Sequence, residues 1–240
     1  MSVDEAATQN STLNHSFEQQ NEGPNDIEAK YPNPASSSYP PIPLYAPPTI
    51  ANPGPLGLCA TALCTFVLSL HNAGAGLPAD GPNNVVVGTS MFYGGLVQLC
   101  AGMWEFKTGN TFGATAFSSY AGFWLSYACI FIPGFNVTGA YTDANILKQS
   151  LGLYLLGWAI FSGIMLIASH RSSIGLVTLF FFLFLTFVML AAAEFNHSLK
   201  ATVAGGVFGI LAALSSWYNA LSGLLTKDSS YFTLPVGRLH

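Results

Sequence analysis

Three stretches of the chain carry residue types that could do chemistry. The first is Asn52-Pro53-Gly54-Pro55-Leu56-Gly57-Leu58. Asn52 is an N-cap type, whose side-chain oxygen can accept from an otherwise orphaned backbone N–H. Pro53 and Pro55 lack N–H groups and fit the first turn of a helix, where those donors have no intrahelical partner. Such a helix start carries partial positive charge and is a natural seat for a carboxylate. The second stretch is Gln98 to Glu105, where an amide and a carboxylate stand in apolar surroundings two residues before Lys107. Glu105 is either half of an interfacial ion pair with Lys107, which water would make weak, or a carboxylate that accepts and returns protons. The third, Thr111 to Tyr120, alternates hydroxyls with small and aromatic residues. Thr115, Ser119 and Phe123 fall on one helical face with Tyr120 at its edge. A tyrosine deep in an apolar segment needs a partner for its hydroxyl, and a ring among leucines makes a narrow, neutral constriction.

Other chemistries lack their residues. No H-x-x-x-H pair, G-x-S-x-G elbow or P-loop occurs, so neither an enzyme nor a metal or cofactor site is expected. Cys59, Cys64, Cys100 and Cys129 sit in apolar segments without C-x-x-C spacing and read as free, buried thiols.

The elements that would position these residues are membrane-spanning. Of 240 residues 51% are hydrophobic and only 8% charged, where a soluble domain carries about 25% charged residues. Seven Lys/Arg without a cluster exclude a nucleic-acid footprint. Residues 1–50 are acidic and lead into a proline-rich run, a composition expected to be a disordered tail without a signal peptide. Six apolar segments of about 20 residues, the length that crosses a bilayer, are expected at 57–76, 84–104, 112–132, 150–169, 174–193 and 202–223. The reading is therefore an all-α membrane protein with a six-helix domain over 51–225 and a short C-terminal tail over 226–240. An even number of spans puts both ends on one side. Lys30, Lys107, Arg171, Lys227 and Arg238 lie there, against Lys148 and Lys200 opposite, which favours cytosolic termini. Gly205, Gly209 and Ala213, with Gly94, Gly95, Gly102, Gly157 and Gly163, are small-residue positions for close helix packing.

The heptad at Asn52 resembles the signature Asn-Pro-Ala-Pro-Leu-Gly-Leu of the acetate/succinate transporter family, with Gly54 in place of Ala. Tyr93-Gly94-Gly95-Leu96-Val97-Gln98, Gly102-Met103-Trp104-Glu105-Phe106, Gly109 through Tyr120, and the closing Tyr231-Phe232-Thr233-Leu234-Pro235-Val236-Gly237 resemble it too. The likeness spans about residues 45–240. It implies six helices per protomer, a symmetric hexameric ring, and proton-coupled uptake of acetate and related short monocarboxylates at the plasma membrane. The partners it implies are acetate, protons, the lipid bilayer and further copies of the chain. In that family a Phe on the first helix, a Tyr on the third and a Leu on the fifth form a narrow point. The Tyr corresponds to Tyr120, and the Leu most naturally to Leu185, with Leu183 open. The Phe position falls on Thr61, a departure that would widen or wet the neck.

The substrate path is accordingly expected to use Asn52, Pro53, Leu56, Thr61, Gln98, Thr115, Tyr120 and Leu185, with Glu105 as the coupling residue. Two other readings follow from the same residues. One is a channel-like pore for acetic acid, ammonia or another small solute, favoured by the lack of a buried charge pair. The other is a non-transporting sensor of acetate or ammonium, suggested by the long tail and the missing aromatic at Thr61.

Overall fold

A computed structural model describes residues 50–239; the expected tail, up to Thr49, lies outside the described residues. Six long helices follow one another: α1 Gly54–Ala73, α2 Val86–Thr108, α3 Thr111–Phe131, α4 Ala144–Ala168, α5 Ile174–Asn196 and α6 Leu199–Leu224. Five are long and apolar enough to cross a membrane by length and composition, and this is an integral membrane protein. The exception is α3, whose hydroxyls, glycines and tyrosines dilute its apolar character. It is nonetheless 21 residues long and lies inside the bundle, with Tyr120, Phe123 and Trp124 buried.

The helix ends are set by caps rather than by the limits of apolar runs. Helix α4 begins at Ala144 and not near residue 150, because Asp143 accepts from Asn145 N at 2.8 Å and the polar Lys148 and Gln149 are already helical. Ser173 and Ser198 cap α5 and α6 in the same way. Helices α1 and α2 stop at Gly74 and Gly109, whose φ of +74° and +80° suits glycine.

Helix α2 is not uniform. Ser90–Val97 is a π-helical stretch, and its two glycines lie against side chains of α1 and α3. A methyl group on Gly94 would run into Trp124 and Cys64 Sγ, and one on Gly95 into Leu125. The tightest approach is elsewhere, between α6 and α1. Gly206 leaves no room for a Cβ against the backbone of Ser69, Asn72 and Ala73, and Gly209 stands against Ser69. The expected small-residue packing thus holds for Gly94, Gly95, Gly102, Gly205 and Gly209. Gly157 does not share in it, since it faces outward with no neighbour in the protomer.

After α6 the chain folds back onto the bundle instead of trailing free. Gly237 O and Val236 O accept from the first amides of α5, Ile174 N at 2.8 Å and Gly175 N at 3.1 Å. Tyr218 of α6 donates to Pro235 O at 2.6 Å. The terminal segment satisfies donors that a helix start leaves open.

Candidate functional site

Helices α1, α3 and α5 turn one face each toward the middle of the bundle. On α1 that face is Leu58, Thr61, Thr65, Leu68 and Asn72; on α3 it includes Ala116, Tyr120, Phe123 and Tyr127; on α5 it includes Leu179, Leu183, Leu190 and Glu194. Steps of three and four residues are those of one helical stripe.

Between these stripes lie three cavities. The first, about 170 Å³, is bounded by Asn52, Glu105 and Asn110 at the start of α1, the end of α2 and the start of α3. The last, about 140 Å³, is bounded by Asn72, Asn83 and Glu194, at the opposite ends of the helices. A space of about 30 Å³ lies between them. Thr61, Tyr120 and Leu183 border both the first cavity and the small one. Leu68, Asn72, Phe123 and Leu190 border both the small one and the last. The cavities are therefore a series along the bundle, pinched at two levels. Among the described residues no Lys, Arg or His lines any of them.

The neck at Thr61, Tyr120 and Leu183 has its polar atoms committed. Tyr120 OH and Ser162 Oγ lie 2.9 Å apart, both buried, so the ring rather than the hydroxyl is the wall. Thr61 Oγ1 donates to Gly57 O at 3.0 Å and accepts from Gln98 Nε2 at 2.8 Å. Gln98 is wholly buried, and its Oε1 has no partner. Thr61 Oγ1 thus keeps one lone pair beyond these two bonds.

At the near mouth Asn52 Oδ1 accepts from Gly54 N at 3.0 Å. The cap acts as the sequence suggests, although the first helical residue is Gly54 and the cap position itself belongs to Pro53. The helix start does not stand open for an incoming carboxylate. Glu105 is already beside it: a methyl group on Gly54 would come within 3.4 Å of Glu105 Oε1. Glu105 is buried and turns to Asn110, whose Nδ2 donates to Oε2 at 2.7 Å, with Thr108 Oγ1 at 3.4 Å. Its partner is Asn110 and not Lys107, which points to the surface. Gly113 N in turn donates to Asn110 Oδ1 at 3.0 Å, and a Cβ on Gly113 would stand 3.0 Å from Glu105 Cδ. A protein carboxylate thus occupies the space between two helix N-termini, where negative charge is favoured.

The remaining sequence candidates fall as follows. Thr61 and Tyr120 meet at the neck, with Gln98 behind Thr61; Pro53 is buried at the α1 start. Leu56 is exposed on the far side of α1 and Leu58 takes its place on the path. Thr115 is exposed, because the inward face of α3 is that of Ala116 and Tyr120 and not that of Thr115 and Ser119. Leu185 borders none of the three cavities; Leu183, in step with Leu179 and Leu190, does. Asn110 and Ser162 are not among the sequence candidates. Asn110 carries a local signal, since it is an N-cap type three residues before Gly113. Ser162, by contrast, meets Tyr120 only through the tertiary fold.

Comparison with known proteins gives one consistent result. The model of the GPR1/FUN34/yaaH family matches residues 36–240. "Acetate permease A" of Emericella nidulans is 47% identical over 197 residues, covering 78% of this chain and 65% of that protein. "Ammonia transport outward protein 2" of Saccharomyces cerevisiae is 49% identical over 192 residues, covering 77% and 67%. The chain thus spans about two thirds of these fungal relatives. "Succinate-acetate/proton symporter SatP" of Escherichia coli K12 is 34% identical, covering 80% of this chain and 97% of that one. The solved structure titled as the bacterial acetate channel SatP superposes with a TM-score of 0.69 at 34% identity, over 79% of this chain and all of that one.

Proposed function

The chain belongs to the GPR1/FUN34/yaaH family, and from that premise we propose that it carries acetate and related short monocarboxylates across the plasma membrane together with a proton. The observation that carries this reading is the series of cavities from Glu105 to Glu194, without a cationic lining residue among the described residues. An anion in the neck would meet a threonine, an aromatic ring and a leucine, and would leave its hydration behind uncompensated, which is costly in an apolar environment. A protonated acid loses little there and offers an O–H to the lone pair left on Thr61. Neutralisation before passage is therefore the step that the geometry favours.

In this reading Asn52, Pro53 and Glu105 form the near mouth, and Glu105 is the coupling group. Thr61, Tyr120 and Leu183 form the neck, with Gln98 fixing Thr61. Both termini are cytosolic. The protomer acts in a hexameric ring, which would cover the apolar outer faces of α2 and α4, such as Phe92, Leu96, Leu153 and Ile160. The protein is a transporter and not an enzyme, and it requires no cofactor.

A second reading, a channel that equilibrates the acid without accumulating it, is favoured by the fit to a structure titled as an acetate channel. Uptake of labelled acetate into proteoliposomes, with and without an inward proton gradient, separates the two.

A further inference from the structure

The path has a carboxylate at each end. Glu105 borders the near cavity and Glu194 the far one, with the neck and the small central space between them. Among the described residues Glu194 is the only charged side chain lining the far cavity, whose other walls are mainly leucines and the rings of Phe123, Tyr127, Phe131 and Tyr154.

We propose that Glu194 is the proton-exchanging group of the far cavity, the counterpart of Glu105 across the neck, serving a short monocarboxylic acid. The inference rests on the transport reading above and adds a site to it. A neutral acid that emerges from the neck must give up its proton before it can leave as an anion. At Glu194 the O–H bond of the acid breaks, its proton forms a new O–H bond on the Glu194 carboxylate, and the conjugate base departs to water. Glu194 then returns the proton to bulk solvent, and the reverse sequence neutralises an anion that enters from this side.

The surroundings suit this exchange. Lys148 of α4 and His197 at the end of α5 are the charged or titratable neighbours. Tyr127 of α3 and Tyr154 of α4 are the phenols in the wall. Helix α1 contributes the neutral Asn72, α6 the neutral Thr202, and the segment before α2 the neutral Asn83. Several of these groups are engaged elsewhere. His197 Nε2 lies 2.8 Å from Asn145 Oδ1, and Tyr154 OH lies 2.8 Å from Ser126 Oγ. Tyr127 OH accepts from Asn83 Nδ2 at 3.1 Å.

The test uses the full chain in proteoliposomes with a pH-sensitive dye inside, following labelled acetate and the accompanying proton together for wild type, Glu194→Gln and Glu194→Asp. Loss of a positioned acid–base group costs about 10²-fold. The expected result is a drop of that order in acetate-coupled proton flux for Glu194→Gln, with flux within about tenfold of wild type for Glu194→Asp. Unchanged coupling in Glu194→Gln overturns the assignment alone, as does an equal loss in both variants, which would mark Glu194 as structural. A wild type that moves no acetate overturns the transport reading and this inference with it.

Discussion

Gln98 Nε2 donates to Thr61 Oγ1 across 2.8 Å, and Thr61 passes its own hydrogen to Gly57 O at 3.0 Å. This chain of bonds fixes which face of Thr61 the neck sees, at the position where the resembling family has a ring. It is a buried polar pair between α1 and α2, so removing one partner is more damaging than the bond's net worth suggests. Thr61→Val should cost about 1–3 kcal/mol by leaving the Gln98 amide unpaired. Thermal melting in detergent measures this loss. A melting temperature equal to wild type would mean that Gln98 finds another acceptor.

Thr61→Phe should narrow the neck instead. We expect slower acetate uptake and sharper rejection of longer monocarboxylates, read from competition against labelled acetate. Equal competition profiles in the two proteins would place Thr61 outside the path.

The Tyr120 hydroxyl is buried against Ser162 at 2.9 Å, while its ring forms the wall. Tyr120→Phe should therefore lower stability by about 1–3 kcal/mol, because Ser162 loses its partner, and leave substrate range unchanged. Tyr120→Ala should relax that range. Melting curves and uptake profiles of both variants separate the contribution of the hydroxyl from that of the ring.

Leu183 and Leu185 are two residues apart and only Leu183 borders the cavities. Leu183→Ala should widen the neck and raise uptake of larger acids several-fold, whereas Leu185→Ala should not alter selectivity. The reverse pattern would return the neck to Leu185.

This pair also marks how far the sequence could be read. The six long helices, five of them apolar enough to cross a membrane, the helix start at Asn52, and the cavity-facing positions of Thr61 and Tyr120 are legible from apolar length, cap chemistry and motif. The register of α5 is not, because Phe180 to Leu185 is apolar at every position and a uniformly apolar run gives no stripe to follow. On α3 the hydroxyls of Thr115 and Ser119 drew attention to the wrong face. The small residues Gly113 and Ala116 mark the true one, since that is where other groups must approach. Sequence proximity offers an ion pair with Lys107 as one of two readings of Glu105, but the turn at Gly109 brings Asn110 back to it.

Gly206 leaves no room for a Cβ against the α1 backbone. Gly206→Ala should push α6 from α1 and cost about 1–3 kcal/mol by overpacking. Gly157→Ala, on an open face, should not destabilise the protomer. Paired melting curves check the contrast, and equal effects would mean that the α1–α6 contact yields.

The central claim is that a monocarboxylate crosses as the neutral acid, with its proton. The direct measurement is labelled acetate in proteoliposomes holding wild-type protein, acidic outside, with Glu105→Gln alongside. We predict accumulation above the external concentration that collapses when a protonophore removes the gradient, and a loss of about 10²-fold in Glu105→Gln. Acetate that merely equilibrates, at a rate indifferent to the gradient and to Glu105, would contradict the claim and leave a passive pore.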